Sequence, residues 1–356
     1  MMEKIEIKTL TMDEIAAQLR KLGEPAFRAK QIFRWLHRGV ESFDEMSDLS
    51  KTLRQMLGET YRLTVPQVLR RQTSQIDGTV KYLWRLHDGN TVESVLMRYA
   101  HGNTVCVSSQ VGCRMGCRFC ASTIGGWVRD LSAGEILDQV LFLQKDLGVP
   151  VNNIVLMGTG EPLDNYDNVL RFIRLVGDPN GVCIGQRHIS LSTCGLADQI
   201  DRLAEERLQI TLSVSLHAPD NESREKIMPV NRRYPVERLM QSCKAYFEKT
   251  SRRVSYEYTM ISGVSDSPVQ AERLAALLRG QNCHVNLIPL NAVAESGLAS
   301  SNRDAVLRFQ NKLKKHHITA TVRRKLGPDI DASCGQLRRR TEKEWMDYSE
   351  CLGKQP

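Results

Sequence analysis

The sequence predicts an α/β fold: a partial (β/α)6 barrel carried behind a small helical N-terminal domain and a short antiparallel connecting sheet. Three observations predict it. Apolar runs alternate with amphipathic helical patterns from about residue 101 onward, hairpin signals fill the stretch before them, and helical periodicity with a capping box opens the chain. The implied divisions are residues 1–65 (helical accessory domain), 66–100 (antiparallel linker), 101–325 (partial barrel) and 326–356 (a C-terminal loop and tail).

Taken in order, residues 10–60 read as helical, because Thr11-x-x-Glu14 is a capping box ahead of Ile15, Leu19 and Leu22, and apolar positions continue at helical spacing from Ala26 to Val40. Over 68–99 the pattern changes to short β-prone runs separated by Asp77-Gly78 and Asp88-Gly89, both strong hairpin dipeptides. Core strands are then predicted at 104–109, 153–158, 188–193, 209–217, 253–260 and 284–290. Helices are predicted between and after them at 132–147, 165–176, 196–206, 235–249, 269–278 and 303–316. Strands that are apolar on both faces and separated by helices form a parallel sheet, and six such units fall short of the eight of a closed barrel. Residues 318–323 offer one further strand.

With 356 residues, 41% hydrophobic and 25% charged, the chain can bury a full core without disulfides, and neither disorder nor a fibrous architecture is indicated. No run approaches the roughly 18 apolar residues of a membrane span, and no apolar stretch follows the opening MMEKIEIK. The expectation is a cytoplasmic protein without a membrane partner. In the reducing cytosol its ten cysteines are for metal or chemistry rather than for a disulfide framework. A net charge of +8 fits a phosphate-rich partner, though charge alone separates RNA from a merely solvated surface poorly. The basic residues concentrate at 20–38, read as one helix that also bears Phe27, Phe33 and Trp35, and again from Lys312 to Lys325 ahead of Arg338-Arg339-Arg340.

Cys113, Cys117 and Cys120 stand as C-x3-C-x2-C directly after the first core strand, where α/β barrels place their chemistry. Three close thiolates leave one iron of a 4Fe–4S cluster open to an outside ligand. Zinc is the rival, but it would need a fourth ligand such as His101, and zinc loops usually pair two C-x2-C units. Elsewhere, Gly158-Thr159-Gly160-Glu161-Pro162 ends the second core strand, where glycines allow close backbone approach. By their surroundings alone Cys106 reads as a buried strand residue, Glu93 as an outward-facing strand carboxylate, and Cys334 as a thiol on an exposed loop.

The C-x3-C-x2-C loop resembles that of the radical S-adenosylmethionine superfamily. With VCVSSQVGC, GTGEPLDN, SLHAP and DIDASCGQL, the chain resembles the RlmN/Cfr family of RNA methyltransferases over nearly its whole length, FRAKQIFRWLHRG included. The resemblance implies a radical-SAM partial barrel holding one 4Fe–4S cluster on Cys113, Cys117 and Cys120, with two S-adenosylmethionine molecules used per turnover. It makes Gly160, Glu161, Ser192, Ser215, Leu216, His217 and Asn291 the cofactor contacts. It makes Cys334 the methyl carrier that becomes S-methylcysteine, Glu93 the base that takes the ring proton, and Cys106 the second catalytic cysteine, which releases product and leaves a Cys106–Cys334 disulfide. Cys183, Cys194, Cys243, Cys283 and Cys351 match no functional cysteine of the family, and Cys194 stands where many relatives have serine.

The implied partners are 23S rRNA and tRNA, an electron donor such as flavodoxin with its reductase, and no second protomer. The basic N-terminal residues and the 312–325 stretch are the implied phosphate contacts. Within the family GEPL resembles the branch that methylates carbon 2 of adenosine; the alternatives are the carbon-8 branch associated with antibiotic resistance and, in another class, a non-enzymatic zinc or iron–sulfur RNA-binding protein.

Overall fold

Thr11 begins the first helix, α1 (Met12–Lys21), as its spacing predicts: its hydroxyl accepts the Glu14 N–H while the Glu14 carboxylate accepts the Thr11 N–H at 2.8 Å. The computed structural model describes residues 4–291, 296–330 and 337. α2 (Arg28–Leu36) buries Ala29, Ile32, Phe33 and Leu36, and α3 (Lys51–Thr60), capped by Ser50, buries Leu53 and Leu57. The single basic helix expected over 20–38 is in fact two. Gly23, at φ +76°, and Pro25 end the first and turn the chain before the second. A short parallel pair, β1 (Ile5–Glu6) with β2 (Tyr61–Arg62), ties the two ends of this unit together.

The hairpin dipeptides produce β3 (Gln67–Thr73), β4 (Val80–Arg85) and β5 (Thr91–Tyr99), each antiparallel to the next, and β5 pairs antiparallel with β6 (Gly102–Cys106). From β6 the sheet turns parallel through β9 (Asn153–Leu156), β10 (Ile189–Thr193), β11 (Thr211–Ser215), β12 (Val254–Met260), β13 (Cys283–Pro289) and β14 (Thr319–Val322). The result is one ten-stranded sheet whose edges, β3 and β14, do not meet: an open partial barrel. The crossovers are α4 (Ala133–Leu147), α5 (Tyr166–Gly177), α6 (Ala197–Glu205), α8 (Val236–Thr250), α9 (Pro268–Leu277) and α10 (Arg303–Lys315). The segment 318–323 supplies the added strand, β14.

Two elements escape the sequence reading. The chain leaves the sheet after Cys106, and β7 (Gln110–Gly112) pairs antiparallel with β8 (Trp127–Asp130) in a separate hairpin that brackets the cysteine loop. A short helix, α7 (Asn221–Ile227), capped by Asp220, precedes α8.

The helical unit is fastened to the barrel by Lys8, which is 2% exposed: its ammonium bonds both oxygens of the buried Asp138 on α4, at 2.5 and 2.6 Å, and also the Thr64 carbonyl. At the other end of the chain, Asp329 accepts from Ser74 and from the Gln75 N–H, and Asp77 accepts the Gly327 N–H, so the last described segment lies against the β3–β4 turn. No disulfide forms among the described residues, and no helix there is long and apolar enough to cross a membrane.

Candidate active site

The C-terminal ends of the parallel strands surround a cavity of about 250 Å³. Cys113, Cys117 and Cys120 line it from one side. Their loop is held by backbone bonds: Cys113 N–H donates to the Gly126 carbonyl across the β7–β8 hairpin, Cys120 N–H to Cys117, and Arg118 N–H to the last carbonyl of α7, Ile227. Gly112 has φ +76°, and a Cβ there would lie 1.9 Å from the Gly126 oxygen, so only glycine lets the hairpin close. Burial pushes the Cys113 thiol up to about 12 and Cys117 well above its ordinary value, and the neighbouring Cys120 adds to both shifts. Ligation requires thiolates, and three of them beside a buried glutamate call for a strongly cationic partner.

Among the described residues no three His, Cys, Asp or Glu side chains converge tightly enough to enclose a single ion. Three thiols lining one cavity are the soft sulfur donors that an iron–sulfur cluster takes.

Opposite the cysteines lie Gly160, Glu161, Ser192, Ser215, His217 and Asn291. Glu161 is 3% exposed, and its two oxygens accept the N–H groups of Leu163 (3.0 Å) and Cys194 (2.7 Å), binding the end of β9 to the end of β10. Burial raises its pKa despite those bonds. The glycines before it line the cavity and also serve the packing of the strand end. A Cβ on Gly158 would sit 2.6 Å from the Val107 oxygen and one on Gly160, at φ +109°, 2.6 Å from the Gln110 Cβ, so they let the strand end press against the segment leading to the cysteines.

His217, at φ +57°, turns its ring against Phe119, the residue before Cys120. Its Nδ1 accepts the Thr259 N–H at 3.0 Å, which leaves the ring proton on Nε2. Burial, aided by the charge of Arg224, lowers its pKa to about 3, so the ring is neutral. Leu216 is not a wall of the cavity: its side chain is fully buried in the main core, and its N–H donates to the Glu257 carbonyl.

Cys106, at the end of β6, faces a second cavity of about 140 Å³ that shares Ile288, Asn291 and Arg323 with the first. It packs with Val95, Met97 and Leu326. Glu93 is on β5 in step with Val95 and Met97 and is buried, its carboxylate 3.0 Å from the fully buried Lys81 ammonium. It does not face solvent as an edge carboxylate would. Cys334 lies outside the described residues. Of the second basic stretch, Arg323, Arg324 and Lys325 line the Cys106 cavity, whereas Lys312 is paired with Glu272 on the outside.

Three residues went unread in the sequence. Glu257 is a cavity wall, buried and accepting from Asn286 at 2.7 Å; its signal was an acid inside the apolar run VSYEYTM. Lys81 is fully buried within a β-prone run, and Arg224 is fully buried in a helix whose composition looks wholly solvated, so neither had a signal.

An open barrel with a three-cysteine loop after its first parallel strand defines the radical S-adenosylmethionine enzymes, and the profile of the Radical SAM superfamily matches residues 107–275. The profile of the ribosomal RNA large subunit methyltransferase N-terminal domain matches residues 5–63. A probable dual-specificity RNA methyltransferase RlmN of Lachnoclostridium phytofermentans is 53% identical over 95% of each chain. Another, of Clostridium tetani, is 51% identical over 96% of this chain and 97% of its own. The crystal structure of a radical SAM methyltransferase from Sphaerobacter thermophilus superposes with a TM-score of 0.89 at 43% identity, covering 93% of this chain and 98% of that one. The chain belongs to the RlmN family of radical SAM RNA methyltransferases.

Proposed function

We propose that the protein methylates carbon 2 of a specific adenosine in 23S rRNA and of the adenosine 3′ of the anticodon in tRNA, through S-methylcysteine on Cys334. The observation that carries this reading is the juxtaposition of two cavities. Cys106 and Leu326 line one of them, Leu326 standing eight residues before Cys334 in the sequence, and that cavity adjoins the one lined by the three cysteines. Pro162 of the GEPL motif lines the cysteine cavity, in keeping with the carbon-2 branch.

In this reading Cys113, Cys117 and Cys120 hold one 4Fe–4S cluster. Gly160, Glu161, Ser192, Ser215, His217 and Asn291 orient S-adenosylmethionine, with Leu216 contributing through its backbone. Together the two groups supply, when bound, a carbon-centred radical and the methyl group itself. The rest belongs to the chain. Cys334 carries the methyl group as a thioether. Glu93, held in place by Lys81, takes the proton that the adenine ring must lose, and Cys106 attacks to release the product, closing a disulfide with Cys334 that a reductant must reopen. Arg323, Arg324 and Lys325 at the cavity mouth, with the basic faces of α1 and α2, bind RNA phosphates around an adenosine lifted from its stack. A flavodoxin-type electron donor, a monomeric working unit and a cytoplasmic setting complete the reading.

The test is anaerobic incubation of the full-length protein with deproteinised 23S rRNA and with tRNA, followed by mass spectrometry of the nucleosides. The expected product is 2-methyladenosine in both RNAs. Formation of 8-methyladenosine alone would overturn the carbon-2 assignment, and methylation that survived Cys334→Ala would remove Cys334 from its role.

A further inference from the structure

Arg224 is the charged residue the reaction scheme leaves unused, and its setting is unusual. It is fully buried on α7. Its guanidinium donates to the Leu216 carbonyl (3.1 Å), the Cys194 carbonyl (2.6 Å), the Ser215 carbonyl (3.2 Å) and Asn231 Oδ1 (3.2 Å). All four acceptors are uncharged, and no carboxylate pairs with it among the described residues. An arginine cannot shed its proton to escape such a site, so a full positive charge sits behind Cys194 and Ser215, two residues that line the cysteine cavity. The backbone makes room for it: Gly195 has φ +101°, and a Cβ there would come within 3.1 Å of Arg224 Nη2.

Two contacts aim this charge at the cysteine loop. The helix that carries Arg224 ends on Ile227, whose carbonyl takes the N–H of Arg118 between Cys117 and Cys120. Cys194, whose carbonyl it holds, packs in one apolar cluster with Cys117.

We infer that Arg224 is a positioning residue and a fixed counter-charge for the metal cluster, holding the ends of β10 and β11 in place while making the reduced cluster easier to reach. A cation buried in low dielectric stabilises the state that carries one more electron, and therefore raises the reduction potential. The inference rests on the reading that Cys113, Cys117 and Cys120 hold an iron–sulfur cluster. A purely structural arginine would knit the same carbonyls without moving the potential.

The experiment is a spectroelectrochemical titration of the anaerobically reconstituted full-length protein. Asn231→Asp keeps the arginine and its three carbonyl bonds and places a carboxylate against Nη1, at the cost of the two hydrogen bonds that the Asn231 amide donates to Asn221. Its reduced-to-oxidised ratio at a fixed potential should fall at least tenfold, which for one electron is about 59 mV. Arg224→Gln should fall similarly, and Arg224→Lys should stay nearer the wild type. A ratio within twofold of wild type in Asn231→Asp would overturn the inference. Should that variant fail to hold a cluster, equal potentials in Arg224→Gln and Arg224→Lys would overturn it and a lower one in the glutamine variant would support it. A wild-type protein with no iron–sulfur absorption would overturn the cluster reading itself, and the inference with it.

Discussion

At the scale of single residues, burial rather than sequence identity sets the chemical state of the site. His217 and His37 are both imidazoles kept neutral by desolvation, with pKa values lowered to about 3 and about 4. His37 stacks on Phe33 and accepts the Val182 N–H, and Gly181 is glycine because a Cβ would lie 2.3 Å from the His37 ring nitrogen. Because each folded-state pKa lies below the unfolded value near 6.5, the unfolded chain binds the extra proton. Both contributions to stability are complete above about pH 6.5 and are lost as the pH falls toward the folded values. We expect His37→Asn to flatten the dependence of unfolding free energy on pH by about one proton between pH 6 and 4, a difference on the order of 3 kcal/mol across the whole transition. Urea unfolding of wild type and variant at several pH values measures it, and parallel curves would show that His37 does not titrate on unfolding.

Among the elements, the β7–β8 hairpin is the one on which the cysteine loop depends most directly. Gly112→Ala puts a methyl group on the Gly126 oxygen, at a positive φ that alanine resists, so the strand pair must open. The expected outcome is a folded protein that binds less than half the wild-type iron after reconstitution, read by iron and sulfide analysis; full iron content would show that the loop forms without the hairpin. This element also shows where the sequence was readable and where it was not. The helices and parallel strands carry periodic apolar patterns, so Thr11, Ser132 and the run from Asn153 mark their own elements. β7 and β8 are only three and four residues long; β7 is wholly buried but too short to show a period, and β8 has no fully buried residue. α7 was missed for the same reason, since of its seven residues only Arg224 and Ile227 are buried. The cavity's cysteines were legible in their C-x3-C-x2-C spacing, and Glu161 only through the resemblance its motif carries. Glu257 left only the trace of an acid inside an apolar run, and the burial of Lys81 and Arg224 follows from tertiary partners, Glu93 for one and the carbonyls at the ends of β10 and β11 for the other, that no local pattern reports.

For the whole molecule, the joint between helical unit and barrel rests on a buried ion pair. Lys8→Met would leave Asp138 buried beside an apolar side chain, and removal of one partner of such a pair costs about 3–5 kcal/mol. The urea midpoint should drop accordingly, and the double variant Lys8→Met, Asp138→Leu should recover most of the loss; a double variant as weak as the single would mean that the ion pair itself stabilises the joint. The pair also imposes an order of events. Lys8 and Asp138 are 130 residues apart, so at cellular rates of synthesis roughly ten seconds pass between the emergence of one and of the other. The three cysteines leave the ribosome within that interval, before β9 exists and long before Ile227 arrives to hold Arg118. For that time they are three thiols on an unfinished nascent chain. The cysteine loop can therefore take its final geometry only after the chain has been made as far as Ile227.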